Sequence, residues 1–207
     1  MNEVLRNAHF ERLARNPPRL ECFGDGIPSV FIQPSFSLGG HTWSSSIALA
    51  KHLIVNDASL VHGRSVIELG AGTGVAGVSC AVSGAKNVLL TDLKIKLLEL
   101  TCNHHKQKFD IKCAPLDWND RSHAFADKFE VCVLADVVYY ENHSLFKSLI
   151  VTLGEVLVDN GTVILCYRER SSAEKAFFEL ILHHGFRLEN HCMLDNIHQL
   201  FVYTKSL

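Results

Sequence analysis

The sequence predicts an α/β fold in which seven strands form a mostly parallel sheet. From residue 64 onward, short apolar runs alternate with longer helical patterns, which is typical of successive strand–helix–strand units. The connection between the last two apolar runs has no helical pattern, so these runs should pair antiparallel. We therefore expect helices on both faces of the sheet and an antiparallel last strand. A chain of this length fits one domain, 1–207, since domains usually have about 50–250 residues.

Each element follows from a local pattern. Short apolar runs predict strands at 64–69, 87–91, 111–116, 129–135, 161–167, 186–189 and 200–204. Apolar residues at helical spacing predict helices at 73–83, 94–107, 142–158 and 172–184. Directly after Trp43, Ser44-Ser45-Ser46 precedes an apolar face and predicts a Ser-capped helix. Earlier in the chain, Gly24-Asp25-Gly26 between two short runs predicts a β-hairpin, in an extension over 19–40 that precedes a core region at 41–207.

Composition excludes several classes of protein. The hydrophobic share of 47% and the charged share of 20% are those of an ordinary globular chain, and no apolar run reaches the ~18 residues of a membrane span. The start of the chain lacks a secretory pattern, so we expect a cytoplasmic protein, with the nucleus left open. A net charge of −2 with scattered Lys and Arg argues against a nucleic-acid partner. Seven Cys without a C-x-x-C pair, and His doublets without helical ligand spacing, predict reduced, mostly buried thiols and no metal site.

A glycine-rich turn follows the first predicted strand of the core. Gly70, Gly72 and Gly74 leave bare backbone at the start of a helix, which suits a nucleotide-type ligand, although a tight turn without a ligand remains the alternative. Residues 72–77 also match the G-x-G-x-x-G pattern of dinucleotide sites, but Gly70 rather than Gly72 directly follows the strand. Glu68 would repel a pyrophosphate and attract an ammonium or a sulfonium. We therefore expect a ligand that is cationic at this end.

Acids also follow the next two strands. Asp92 comes about 20 residues after the turn, where such sheets place a carboxylate against ribose hydroxyls; its alternative is a helix cap. Asp117 and Trp118 end the third strand, where an indole can flank a base and a carboxylate can accept from an exocyclic amine. Trp118 as an ordinary core residue stays open. An adenosine-like ligand fits all three positions.

These residues together resemble a known family. The run Glu68-Leu69-Gly70-Ala71-Gly72-Thr73-Gly74, with Asp92 and Asp117-Trp118, is similar to the class I, seven-strand S-adenosyl-L-methionine-dependent methyltransferases, which have a Rossmann-like sheet. The runs Trp43-Ser44-Ser45-Ser46 and Ala135-Asp136-Val137-Val138-Tyr139 resemble methyltransferase family 16, which holds mostly protein-lysine methyltransferases. The resemblance extends from about residue 19 to the end. It departs at 44–45, where many relatives have Pro and a small residue.

The resemblance implies S-adenosyl-L-methionine as the cofactor and a set of site residues. Those implied for the cofactor are Trp43, Glu68, Gly70, Gly72, Gly74, Asp92, Leu93, Asp117, Trp118 and Ala135. Asp136 and Tyr139 are implied as catalytic. Our hypothesis is that Asp136 orients an amine and accepts its hydrogen bond, while Tyr139, Tyr140 and Trp43 wall the acceptor channel. In the alternative, Asp136 only caps a turn and Tyr139 only packs.

The acceptor is predicted from the same segment. Relatives that methylate amide nitrogens typically carry Asn-Pro-Pro-Tyr here, whereas a carboxylate at Asp136 suits an acceptor that arrives as a cation. Arg168 and Arg170 could grip an acidic protein substrate or form a solvated charge cluster. We therefore expect a monomeric enzyme that methylates a lysine ε-amine of a protein. A small-molecule N-methyltransferase and a non-catalytic S-adenosylmethionine-binding protein remain the alternatives.

Overall fold

The computed structural model describes residues 17–33, 38–120, 127–139 and 143–206. The strands within these ranges are β1 (Arg19–Glu21), β2 (Val30–Ile32), β3 (Ser65–Leu69), β4 (Asn87–Asp92), β5 (Ile111–Pro115), β6 (Phe129–Ala135), β7 (Leu157–Tyr167), β8 (Phe186–Met193) and β9 (Gln199–Lys205). The α-helices there are α1 (Ser44–Lys51), α2 (Val75–Val82), α3 (Lys96–His105), α4 (His143–Val156) and α5 (Lys175–His183). Single 3₁₀ turns and one π-helical turn complete the helical segments of the described chain.

Seven of the described strands form one sheet in the order β5-β4-β3-β6-β7-β9-β8. The pairs from β5 across to β7 are parallel, and β9 runs antiparallel to both of its neighbours. The predicted α/β class, the mostly parallel sheet and the antiparallel last strand are confirmed. The chain leaves β3 toward β4 on one side and returns to β6 on the other. Open α/β sheets bind ligands at such a switch point, beyond the carboxyl ends of the strands.

The sheet is covered on both faces. One apolar cluster joins the sheet to α1, α2 and α3, and includes Leu49, Val78 and Leu98, which are each 0% exposed. The other cluster joins the opposite face to α4 and α5, and includes Leu153 and Phe177 at 0% exposure. Strands covered on both faces read as nearly continuous apolar runs, which explains why they could be found in the sequence.

The predicted N-terminal hairpin is confirmed. Strands β1 and β2 pair antiparallel, with Leu20 opposite Phe31. The hairpin is held to α3, because the N–H of Phe31 donates to Thr101 Oγ1 at 3.2 Å and His105 Nε2 lies 2.7 Å from the carbonyl of Ser29. It therefore packs on the face of the sheet that carries α1 to α3.

Two local predictions were wrong. Helix α4 ends at Val156 and β7 begins at once at Leu157, so the predicted boundary near residue 160 was displaced. Helix α1 begins after the tryptophan as expected, but its N-cap is Trp43 and no side chain caps it. The hydroxyl of Ser46 instead donates back to the Trp43 carbonyl at 2.7 Å, because a serine inside the first turn can reach that oxygen. In the described part of the chain, no helix is both long and apolar enough to span a bilayer.

Candidate active site

The glycine turn between β3 and α2 adopts the conformation that glycine favours. Gly70, Gly72 and Gly74 have φ values of +69°, +57° and +87°, which are costly for other residues. A Cβ at Gly70 would lie 2.9 Å from Val137 Cγ1 and 3.3 Å from the ring of Trp118. The turn is therefore held closely against two segments that follow other strands, and only Gly70 and Gly72 within it are partly accessible.

Glu68 supports this turn from the inside. Its residue is 1% exposed, and Oε2 accepts the N–H of Gly77, within α2, at 2.9 Å. Burial raises the pKa of Glu68 from its ordinary 4.5 to about 8, and the single hydrogen bond from Gly77 only partly offsets this. The carboxyl group is thus protonated at neutral pH and turned into the protein, which differs from the charged group expected beside a cation. Its role as a direct cofactor ligand stays a prediction.

Asp92 lies across from the turn at the end of β4. Its Oδ2 accepts the N–H of Gly72 at 2.9 Å, and its Oδ1 accepts the N–H of Lys94 at 3.2 Å. The side chain therefore bridges the glycine turn and the start of the next connection. Leu93 beside it is 67% exposed, so an apolar surface borders the carboxylate.

The end of β5 contributes the third position. Asp117 accepts the N–H of Asn119 at 2.9 Å and forms a local turn, while the ring of Trp118 is half-buried near Gly70. Trp118 packs against the apolar cluster that contains Leu116, so it serves both as core and as a wall of the turn. The structure thus brings the predicted residues after β3, β4 and β5 to one edge of the sheet.

The segment before α1 covers the other side of the glycine turn. A Cβ at Gly72 would lie 3.6 Å from the carbonyl oxygen of Gly39, and the hydroxyl groups of Thr42 and Thr73 are 3.2 Å apart. Trp43 follows, with 40% of its surface exposed. This segment therefore packs against the glycine turn.

Asp136 follows β6 in an unusual backbone conformation. Its φ is +63°, a left-handed value that is uncommon for residues other than glycine, and its N–H donates to the carbonyl of Cys166 at 3.0 Å. Such strain persists only where the surroundings fix it, and it concentrates at functional sites. Ala135 before it is half-buried at the end of β6, and Tyr139 beyond it is 38% exposed. Tyr140 lies outside the described residues.

The carboxylate of Asp136 is already paired. Arg170 Nη1 donates to Oδ1 at 2.7 Å and Nη2 to Oδ2 at 2.5 Å, while the carboxylate side chain is only 2% exposed. These hydrogen bonds raise the pKa of Arg170 above its ordinary value. The guanidinium carbon also lies 5.9 Å from the centre of the Trp43 ring. Arg170 therefore belongs to the site, and reading it as a solvated surface charge was wrong.

Sequence reasoning missed a second polar chain near Trp43. His198, 5% exposed in the β8–β9 connection, lies 2.7 Å from Asp195 Oδ2 through Nδ1 and 2.9 Å from Ser44 Oγ through Nε2. Hydrogen bonding by His198 lowers the pKa of Asp195 to about 2, so the carboxylate is ionised and accepts a hydrogen bond from Nδ1–H. These two hydrogen bonds link the β8–β9 connection to the start of α1. The two ends are 154 residues apart, and no local pattern links them.

A comparison with protein families now bears on this geometry. The model of a family described as lysine methyltransferase matches residues 32–184. The chain belongs to this lysine methyltransferase family. The match includes the glycine turn, Asp92, Asp136 and Arg170, and the resemblance inferred from the sequence is confirmed.

Individual relatives of this chain also have the names of lysine methyltransferases. The chain is 29% identical over 156 residues to EEF1A lysine methyltransferase 3 of Mus musculus, a match that covers 73% of this chain and 66% of that protein. It is 31% identical over 147 residues to the mouse protein N-lysine methyltransferase METTL21A, covering 67% of this chain and 65% of that protein. The matches thus span slightly less than two thirds of these relatives.

Among solved structures, the fold is similar to the N-methyltransferase NodS of Bradyrhizobium japonicum in complex with S-adenosyl-L-homocysteine. The TM-score is 0.58 at 16% identity, and the match covers 78% of this chain and 85% of that one. At this identity the likeness concerns the fold, which is that of a Rossmann-like methyltransferase sheet.

Proposed function

We propose that this protein binds S-adenosyl-L-methionine above the glycine turn and methylates the ε-amine of a lysine in another protein. The observation that carries the proposal is the convergence of two segments on neighbouring strands. The glycine turn follows β3, and the Asp136–Tyr139 segment follows β6, which pairs with β3. Membership of the lysine methyltransferase family and the names of the mouse relatives support lysine as the acceptor.

The residues present fit the cofactor. Gly70 and Gly72 have the left-handed φ values that a glycine-rich turn requires, and the carboxylate of Asp92 lies at the end of β4, the position that supports a contact with ribose hydroxyls in such sheets. Asp117, Trp118, Leu93 and Ala135 would border the adenosine. When bound, the cofactor supplies an electrophilic methyl group on a positively charged sulfur.

The chain's own residues would prepare the acceptor. A lysine with a pKa near 10.4 must lose a proton to solvent before its lone pair can form the N–C bond as the C–S bond breaks, which costs about 4–5 kcal/mol at pH 7. The exposed rings of Trp43 and Tyr139 can exclude water from the lysine side chain, and desolvation favours its neutral form. Because the transfer is an in-line displacement, positioning is the main contribution of the protein.

We extend the proposal to a monomer that acts on protein rather than on nucleic acid in the cytoplasm. The net charge of −2 supports a partner other than nucleic acid, and seven free cysteines suit a reducing compartment. Size-exclusion chromatography with light scattering tests the monomer. A dimer mass would contradict that part.

Calorimetry with S-adenosylmethionine tests binding. We expect Asp92→Ala to weaken binding by at least about tenfold, the loss of one good polar contact. Asp110→Ala is the matched control, because the side chain of Asp110 forms an exposed ion pair with Lys112 at 4.0 Å. Absence of binding by the unmodified protein would contradict the cofactor, and equal affinities of both variants would contradict the place assigned to it.

Incubation with methyl-labelled cofactor and cell extract tests transfer. We expect the label in a protein band that is much weaker when Asp92→Ala replaces the unmodified protein at the same subsaturating cofactor concentration. Label confined to small molecules would contradict a protein acceptor. Binding without any transfer would contradict an enzyme.

A further inference from the structure

The pairing of Arg170 with Asp136 raises a question about the acceptor. Both oxygens of a buried carboxylate are bonded by one guanidinium, in the two-point geometry that is strongest for such pairs. An incoming lysine therefore meets a carboxylate that already has a cationic partner. Either the lysine displaces Arg170, or Arg170 stays and the lysine lies beside the pair.

The contacts around Arg170 favour the second possibility. Its backbone N–H donates to Glu174 Oε2 at 3.0 Å, and its Nη1 also donates to the carbonyl of Arg168 at 3.2 Å. Trp43 lies against the guanidinium. Moving the Arg170 side chain away from Asp136 would thus also break its hydrogen bond to the Arg168 carbonyl and its contact with the Trp43 ring. A lysine ammonium cannot replace a bidentate pair with its single charged nitrogen.

The backbone that carries Arg170 is itself fixed. Glu174 is 1% exposed, and its Oε2 accepts the hydroxyl of Tyr167 at 2.5 Å and the N–H of Ser171 at 3.2 Å in addition to the N–H of Arg170. Burial, followed by the contact with Glu174, raises the pKa of Tyr167, so the hydroxyl keeps its proton and donates. One buried carboxyl group therefore holds both ends of the segment from Tyr167 to Ser171.

We propose that Arg170 is a positioning residue that stays bonded to Asp136 during methyl transfer, so that the acceptor lysine lies beside a neutral ion pair. The proposal rests on the function proposed above and goes beyond it. In this proposal the amine forms no direct hydrogen bond to Asp136. Asp136 instead holds Arg170 in place beside the lysine.

The consequence is electrostatic. An unpaired carboxylate next to the lysine would stabilise its ammonium form and raise its pKa, which opposes the nucleophilic state. With Arg170 in place the pair has no net charge, and the fixed cation disfavours a second positive charge beside it. Other ionisable groups near the pair are Glu174 and Tyr167 on the same segment, and Cys166, whose thiol is close to both Asp136 and Asp195. They are unchanged in the variants below, so differences between variants report on the pair itself.

Arginine-labelled NMR tests the pairing without any acceptor. In the unmodified protein, with S-adenosylmethionine added, the two Nη atoms of Arg170 should give separate signals, because bidentate bonding hinders rotation of the guanidinium. Arg170→Lys identifies these signals, and Asp136→Asn should merge them. Merged signals in the unmodified protein would overturn the proposal.

A charge series tests the role in catalysis, with the protein band labelled in extract as the acceptor. The rising limb of kcat against pH should move up by about one unit in Arg170→Gln, as expected for an added nearby negative charge. It should move down in Asp136→Asn and return to within about 0.3 units of the unmodified protein in the double variant, where the net charge is again zero. Arg170→Lys keeps the positive charge, so the rising limb of kcat should stay at the same pH.

The matched control is Arg187→Gln, because Arg187 also donates two hydrogen bonds to a carboxylate, Glu189, but at an exposed site on β8. Arg187→Gln should leave the pH of the rising limb of kcat unchanged. A higher kcat in Arg170→Gln with an unchanged pH dependence would show that Arg170 blocks the lysine. A large loss of kcat in Asp136→Asn with an unchanged pH dependence would show a direct hydrogen bond from the lysine to Asp136. Either result would overturn the proposal. If Arg170→Gln does not fold, the pH dependence is measured on the double variant Arg170→Gln/Asp136→Asn, because it has no unpaired charge at this position. Absence of any labelled protein would refute the proposed function, while the NMR result would still stand.

Discussion

Replacing Glu68 by Gln should stabilise the protein, and the gain should grow with pH. The carboxyl group of Glu68 is buried among apolar strand residues and has one hydrogen bond, from the N–H of Gly77 at 2.9 Å. Glutamine has nearly the same shape, and its amide oxygen can accept that bond. The substitution therefore removes the ionisable group and leaves the packing in place.

The magnitude follows from the pKa. The folded state raises the pKa of Glu68 from 4.5 to about 8, chiefly through burial. Below pH 4.5 the group is protonated in both the folded and the unfolded chain and has no pH-dependent effect. Between these values only the unfolded chain releases the proton, so the free energy of unfolding falls by about 1.36 kcal/mol per unit. The loss reaches at most about 5 kcal/mol near pH 8 and is constant above it.

Urea denaturation at pH 5, 6, 7 and 8 measures this effect. His52 and His105 have pKa values lowered by burial and give a slope of opposite sign, so the difference between the unmodified protein and Glu68→Gln is the quantity to plot. That difference should be smallest, about 1 kcal/mol or less, at pH 5 and should increase steadily to pH 8. Glu179→Gln, at an exposed position of α5, is the control and should show no such trend.

A difference that stays constant across this range would refute the reasoning. It would mean that Glu68 is ionised in the folded protein and that the single hydrogen bond and nearby dipoles outweigh burial. The sequence-based view of Glu68 as a charged group facing a cationic ligand would then regain support.

Two further predictions concern stability. Gly70→Ala should lower the free energy of unfolding, measured by urea denaturation, by about 2–4 kcal/mol, because backbone strain adds to steric contact with the residues packed against the turn. Gly24→Ala, at a φ of +75° with open space around it, should lower it by only about 1–2 kcal/mol. Equal losses would show that the neighbours of Gly70 move to relieve the contact. His198→Phe should cost about 1–3 kcal/mol because it removes the imidazole that bonds the hydroxyl of Ser44 and Oδ2 of Asp195. His191→Phe, whose hydrogen bond is exposed, should change the free energy of unfolding by less than about 0.5 kcal/mol. Similar losses for both histidines would contradict a special role for the buried His198.

The fold was largely accessible from the sequence because its central strands β3, β6 and β7 are largely buried on both faces. The run at 87–91 was found almost to the residue, since β4 is Asn87–Asp92. The boundary between α4 and β7 was missed because Leu153, Val156 and Leu157 continue the helical spacing. The backbone nevertheless changes conformation at Leu157, which pairs with Phe129 of β6. A contact between distant segments decides that boundary, and spacing along the chain does not record it.

The site was accessible in part. Residues at strand ends were found because parallel strands deliver their carboxyl ends to one edge, and Asp92 and Asp136 follow that rule. Their present partners were not predictable. Arg170 meets Asp136 across 34 residues, and His198 meets Ser44 across 154, so both pairs depend on how β7 and β9 lie in the sheet. The inward orientation of Glu68 likewise depends on the position of α2.

The central claim is transfer of a methyl group to a protein lysine, and mass spectrometry of the labelled band tests it most directly. The band produced from cell extract with methyl-labelled S-adenosylmethionine is digested, and the modified residue is assigned by fragmentation. We predict methylation of a lysine ε-nitrogen, which decreases strongly when the Asp92→Ala variant is used at the same subsaturating cofactor concentration. Methyl groups on another type of residue, or an unlabelled extract, would contradict it.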